Sequence, residues 1–242
     1  MTRKHGKNAA IYVNEFNLSG YSNTWTLNVS VDTVEVTTFT DTSKEHLEGD
    51  HSSELSWAGF FDTTDDGWDE TSWAQAITTR GTQYGGLAPY GTTAGGVVYE
   101  VPGIYTAQTR SAPVADVVTL DGSVIGDDVG RGLSLLDATI SATGTQTSQD
   151  YGAKASGATL MVVYRIESLG GAGDIVIAIE ESSDDAVGDP FAAIAALASG
   201  TLSATGTTVK TTTAATEQYL RVNVTTFTPT SAVIYVTVTT LA

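Results

Sequence analysis

The sequence predicts an all-β, antiparallel fold, and two observations carry that reading. Short runs of β-branched and aromatic residues recur along the chain, separated by stretches rich in Thr, Gly, Ser and Ala. Within the runs, apolar and polar residues alternate with a period of two, the spacing of a strand with one buried face.

Ile11 and Val13 mark a short first strand. In the next, Trp25, Leu27, Val29 and Val31 alternate with Thr26, Asn28, Ser30 and Asp32. The phase then slips, and Val34 and Val36 carry the apolar face towards Thr38. A slip inside continuous alternation predicts a β-bulge near Asp32 and Thr33. About fifteen residues at roughly 3.3 Å each give a strand of about 50 Å, too long for one compact sandwich. Its apolar residues, Leu27 and Val29 among them, are expected to face a sandwich interior or a neighbouring hairpin.

Leu55, Trp57 and Phe61 mark a second long alternating strand. Further strands are expected at Val97 to Val101, Val114 to Leu120, Leu133 to Ile140, Leu160 to Ile166, Ile175 to Ile179, Leu220 to Val224 and Ile234 to Val238. One helix is expected, opened by Asp69 and Glu70, striped by Trp73, Ala76 and Ile77, and closed by Arg80 and Gly81. Asp189 to Ala198 reads two ways, because Asp-Pro before an Ala-rich run suits a helix start while its neighbours read as strands. The Gly- and Ser-rich segment from Thr143 to Gly157 suggests a boundary between residues 1–150, with the long hairpin and helix, and a second β-rich portion, 151–242. The pentapeptide SATGT occurs at Ser141 and again at Ser203, too short a match to define a repeat in this composition.

A chain of 242 residues with 41% hydrophobic content can bury a core. Its 28 acidic residues against 11 Lys and Arg give a formal charge of −17, which leaves no basic field for tight nucleic-acid binding. With no cysteine, disulfide scaffolds and thiolate chemistry are excluded. The apolar stretch after the basic start, Ala9 to Val13, is too short for a signal-peptide core, and the longest apolar run, Phe191 to Ala198, is far from a membrane span. A soluble protein with no membrane partner is therefore expected, and the sequons at Asn17, Asn28 and Asn223 would matter only in a secretory compartment.

No catalytic constellation emerges, so no enzyme, cofactor or metal is expected. Asp62 to Glu70 begins like a calcium loop, but Trp73 stands where the bidentate acid is needed, and a solvated turn is the simpler reading. Glu181, Asp184, Asp185 and Asp189 form a second acidic cluster, read as a hairpin loop before a weak cation site. His46 and His51 lack a third ligand at metal spacing. Trp25, Trp57 and Trp73 sit on apolar faces, where packing explains them more simply than sugar stacking. The sharper signal is charge placement. Between Asp32 and Glu70 lie twelve acids and one base, Lys44, with Glu35 and Glu54 opposite the apolar phase of their strands. One hairpin face should be apolar and the other acidic.

The run Val31-Asp32-Thr33-Val34-Glu35-Val36-Thr37-Thr38-Phe39-Thr40-Asp41-Thr42-Ser43-Lys44, then Leu47, Gly49 and Leu55-Ser56-Trp57-Ala58-Gly59-Phe60-Phe61-Asp62, resembles the tail tube (major tail) proteins of long-tailed bacteriophages. Thr40 replaces a Gly common in that family. Asp150-Tyr151-Gly152-Ala153 and Glu181-Ser182-Ser183-Asp184 are similar to its later part, where the segment matching Phe191 to Leu197 is extended. The resemblance implies an antiparallel β-sandwich flanked by one helix, its long hairpins joining those of neighbouring subunits into one β-barrel around a channel. Rings of this kind, usually hexamers, with a trimer of duplicated halves as a variant, stack into a virion tail assembled in the host cytoplasm. The implied partners are further copies of the chain, adjacent rings, and the tape measure, tail terminator and distal tail proteins. DNA would transit the lumen without tight binding. Within this picture the loop from Thr40 to Asp50, with Asp41, Lys44, Glu45, Glu48 and Gly49, is expected to be mobile in the free subunit and to order against the adjacent ring. Glu35 and Glu54 are the candidates to face the lumen. The competing readings are a carbohydrate-binding or decoration β-sandwich of a virion and, third, an enzyme on a β scaffold.

Overall fold

The computed structural model describes residues 8–36, 43–60, 81–112 and 118–241, with the side chain of Ala107 excepted. The expected helix, the calcium-like stretch from Asp62, Phe61 and Asp41 lie outside the described residues.

The described residues form almost entirely antiparallel β-structure. In order, the strands are β1 (Ala10–Val13), β2 (Phe16–Asn17), β3 (Ser22–Glu35), β4 (His46–Phe60), β5 (Gln83–Ala88), β6 (Val97–Ser111), β7 (Thr119–Gly126) and β8 (Gly130–Ile140). They continue with β9 (Gly144–Thr145), β10 (Gln149–Asp150), β11 (Leu160–Leu169), β12 (Ile175–Ser182), β13 (Ala192–Ala193), β14 (Thr201–Leu202), β15 (Gly206–Thr212), β16 (Tyr219–Phe227) and β17 (Ala232–Leu241). Two compact units share the chain: residues 1–19, 86–100 and 130–242 form one, and 20–85 with 101–129 the other. These units interleave along the chain. Asp150 of β10 is paired with Tyr219 of β16.

The first unit is a two-sheet sandwich. One layer takes β15, β11, β17 and β8 as neighbours and continues to Val97–Glu100 of β6; the other takes β10, β16, β12 and β13. Alternate residues supply the core between them: Leu160, Val162, Tyr164 and Ile166 from β11 and Ile234, Val236 and Val238 from β17 meet Ile175, Ile177 and Ile179 from β12 and Leu220, Val222 and Val224 from β16. The Tyr164 hydroxyl enters this core because it donates to the Leu197 carbonyl. That bond sits in the segment that read two ways. Ala192–Ala193 is extended and Ala195–Leu197 is one turn of 3-10 helix, so each of the two readings holds for part of the segment.

The opposite face of β11 carries an ion pair. Arg165 Nη1 and Nη2 donate to Glu100 Oε1 and Oε2 at 2.8 and 2.7 Å, with both side chains sealed from solvent. The Asn14 carbonyl takes the Arg165 Nε proton at 2.6 Å, and the Thr237 hydroxyl donates to Glu100 at 2.7 Å. Asn14 presents its carbonyl from the left-handed region, φ 52°, in the turn between β1 and β2. Tyr12 and Tyr235 stack at 4.6 Å, and the guanidinium lies 5.4 and 5.8 Å from their ring centres. Both oxygens of this carboxylate and three N–H donors of the guanidinium are used, the condition under which a buried pair is tolerated.

The second unit is built on β3, β4, β7 and residues 104–111 of β6, paired in that order.

Candidate functional site

The long β3–β4 hairpin is the feature that ordinary packing within the described chain leaves unexplained. Its register sets Trp25 opposite Trp57, Leu27 opposite Leu55, Val29 opposite Ser53 and Val31 opposite His51. The ladder then shifts between Val31 and Thr33, where the bulge was expected, and resumes with Val34 opposite Leu47 and Glu35 opposite His46. A Cβ on Gly49 would lie 3.0 Å from the Asp32 carbonyl, so a glycine lets the two strands close over the irregularity. The Val36 amide donates to the Glu45 carbonyl at 2.9 Å, carrying the pairing one step further.

Residues opposite one another in an antiparallel ladder share a face. Leu27, Leu55, Val124 and Tyr105 thus form one apolar row across four strands, with Leu55 and Val124 fully buried and Leu27 half-buried. Trp57 and Tyr105 meet edge-on at 5.8 Å. Gly122, opposite Trp57, makes room for them, since a Cβ there would come within 2.8 Å of the indole.

This cover ends abruptly. The last pair between β4 and β7 is Ser53 with Gly126, and the Ser53 hydroxyl donates to the Gly126 and Asp128 carbonyls at 3.1 and 2.6 Å. Beyond that point the hairpin runs on as two strands. Val29, Val31, Val34 and Leu47 are accordingly exposed, the last two at 60% each. Leu27 therefore keeps a partly covered place, whereas Val29 does not face the interior of its own unit.

The other face is polar and acidic. Glu54 lies in a row with Asn28, Ile125 and Ile104, and Asp121 shares its face by register; across the shift β4 carries one residue more than β3, so Glu35 and Glu48 fall on the face of Leu27 and Val31. Glu54 and Asp121 border a shallow groove of about 290 Å³ with Thr24, Thr26, Ser56 and Ser123. Glu35 pairs with Lys44 at 2.7 Å, and Glu48 with His51 at 2.9 Å, all four side chains substantially exposed. Ile104 and Ile125 interrupt this polar face and are themselves exposed.

The expected loop from Thr40 to Asp50 is shorter than the sequence suggested. Lys44 and Glu45 precede β4, but Glu48 and Gly49 lie within it. Cross-strand pairing overrides their weak strand propensity. The second acidic cluster serves a turn: Asp184 accepts from the amides of Val187, Gly188 and Asp189 at 3.1, 2.6 and 3.0 Å, with Asp185 and Ala186 in the left-handed region. The Ser183 amide and hydroxyl bind Asp189 and hold its carboxyl below the usual carboxylate range. Among the described residues no group of three or more His, Asp or Glu is placed to hold a metal.

No family model matches the chain. No curated protein matches it either. Among solved structures, it is similar to a chain of the tail of an empty gene transfer agent particle refined with C6 symmetry, at 17% identity and a TM-score of 0.40, over 51% of this chain and 94% of that one. A chain of the sheath–tube complex of an extracellular contractile injection system gives 13% identity and 0.42, over 53% and 90%. The Dit protein of phage SPP1 gives 10% and 0.36, over 95% and 98%.

Strands β5 and β15 are among those that escape sequence reasoning. β5, QYGGLA, is too small-sided to read as a strand, and Gly86 is small because a Cβ there would come within 2.9 Å of Arg165 Nη2. β15, GTTVKTT, lacks the apolar alternation of its neighbours because, among the described residues, it pairs only with β11, at the margin of its layer.

Proposed function

We propose that this chain is a structural subunit of a phage tail tube, polymerising through its long hairpin into stacked rings that conduct the genome. The observation that supports this most is the hairpin itself, which outruns β7 and leaves Val29, Val31, Val34 and Leu47 exposed beside its acids. An isolated two-stranded ribbon is marginal in water and gains stability when further strands or a packing face cover it. Among the described residues β3 pairs only with β4, so its outer edge can take a strand from a neighbouring copy. Closure of such a repeated, heterologous contact gives a ring and removes the edge. The motif from Val31 to Lys44 adds the family resemblance, with a hexamer as the usual ring and the tape measure, terminator and distal tail proteins as further partners.

In this reading Glu35 and Glu54 line the channel. A wall of the same sign as DNA repels it and offers no cation for counterion release. Residues 151–242 complete the wall or decorate its outside. The test is labelling of virions with an antibody raised against the pure protein. Decoration along the whole tail is expected; decoration confined to the capsid or the tail tip would overturn the tube reading in favour of an accessory module.

A further inference from the structure

We infer that a cavity between β8 and the segment after β10 receives a carboxylate from the hairpin of a second copy, an inference that rests on the stacked-tube reading. The cavity, of about 310 Å³, is lined by Arg131, Asp150, Tyr151, Lys154 and Thr240. Its electrostatics are unbalanced. Lys154 is buried, and its ammonium donates to the carbonyls of Ala158 and Ala214 at 2.5 and 2.8 Å, with Ala155 at the 3.5 Å limit. No carboxylate pairs with it among the described residues. Arg131 at the same cavity also has no carboxylate partner among the described residues. Asp150 is committed elsewhere, accepting from the Gly152 amide and from Gln218 Nε2, each at 3.2 Å.

A buried cation without a counter-charge is costly, and an anion arriving from outside relieves that cost. This chain carries 28 acids against 11 Lys and Arg, so two cations facing one cavity are an uncommon concentration. Carboxylates are densest at the far end of the hairpin, where Asp32, Glu35, Glu48 and Asp50 are all exposed. Glu48 is the best placed donor of charge, since 69% of its side chain is open and its carboxylate pairs with His51, a neighbour on its own strand. Stacking of identical rings brings two different surfaces of the same chain together, which a cationic cavity and an acidic hairpin end satisfy.

The test is a charge exchange followed by negative-stain microscopy of the full chain. Arg131→Glu should melt as the parent does yet give at least tenfold fewer tubes, and Glu48→Arg should behave alike. The double variant should regain tube growth. Should Arg131→Glu fail to fold, Arg131→Gln serves instead, expected to weaken stacking and reduce its dependence on salt. Parent-like tubes from either Arg131 variant would overturn the cavity assignment and leave the tube reading standing. So would two defective single variants whose combination recovers nothing. A parent that forms no rings at any concentration would remove both.

Discussion

Val34 lies directly opposite Leu47 at the far end of the β3–β4 hairpin, and each leaves 60% of its surface in water. The shift between Val31 and Thr33 creates this pairing, because without it Val34 would stand opposite Glu48 and Leu47 opposite Glu35. Fully burying such a pair is worth about 1.5–3 kcal/mol per side chain, which is available only to an assembly.

Replacing both Val34 and Leu47 by Asp should therefore leave the fold almost untouched, within about 0.5 kcal/mol, as expected at exposed positions. Assembly should be lost. Thermal melting reads the first effect and sedimentation velocity the second; a variant that still sediments as a ring would disconnect this face from assembly.

Leu55 tests the covered half of the same strand. It is fully buried between Leu27 and Val124, so Leu55→Ala should cost about 2–5 kcal/mol. Val29→Ala, two ladder steps beyond, should cost a small fraction of that in the monomer. Urea titrations that found equal losses would contradict the burial boundary at Ser53.

The Arg165–Glu100 pair should be unforgiving of single changes. Glu100→Gln leaves a buried guanidinium without its anion and should cost about 3–5 kcal/mol. Arg165→Met combined with Glu100→Leu should recover much of the loss. A single variant as stable as the parent would show that water reaches the pair.

Glu167 supplies a pH dependence. Burial and the nearby Asp137 carboxylate raise its pKa, outweighing the Tyr12 and Asn17 hydrogen bonds. The folded chain thus holds a proton that the unfolded chain has released, so this group's contribution falls as pH rises from the ordinary glutamate value through the raised one. Glu167→Gln should flatten that part of the stability profile, with the gain over the parent largest on the alkaline side. Equal stability of the two proteins across the window would contradict the assignment.

Much of the fold is legible in the sequence where one face of a strand is buried and the other is not. Leu160 to Ile166, Ile175 to Ile179, Leu220 to Val224 and Ile234 to Val238 all fall within observed strands, and the phase slip at Asp32 marks a real register shift. β5 and β15 were hidden because their residues are chosen by neighbours, Gly86 by a guanidinium and the threonines of β15 by a layer's margin. Glu48 and Gly49 read as loop because their strand state depends on Asp32 and Thr33 across the ladder. The Arg165–Glu100 pair spans 65 residues, and no local pattern announces it.

The hairpin's acids yield a functional prediction. Changing Glu35 and Glu54 together to Lys should leave ring formation intact but slow DNA release from virions and make it depend on salt. Release unchanged at two ionic strengths, with equal tail lengths, would take these residues off the channel wall.

The central claim is that the chain closes into hollow rings through its hairpin, and negative-stain imaging of the purified protein over a range of concentrations tests it most directly. The account predicts rings with a stain-filled centre that stack into tubes of uniform diameter as concentration rises. Particles that remain compact monomers at every concentration, with glycan binding in their place, would contradict it.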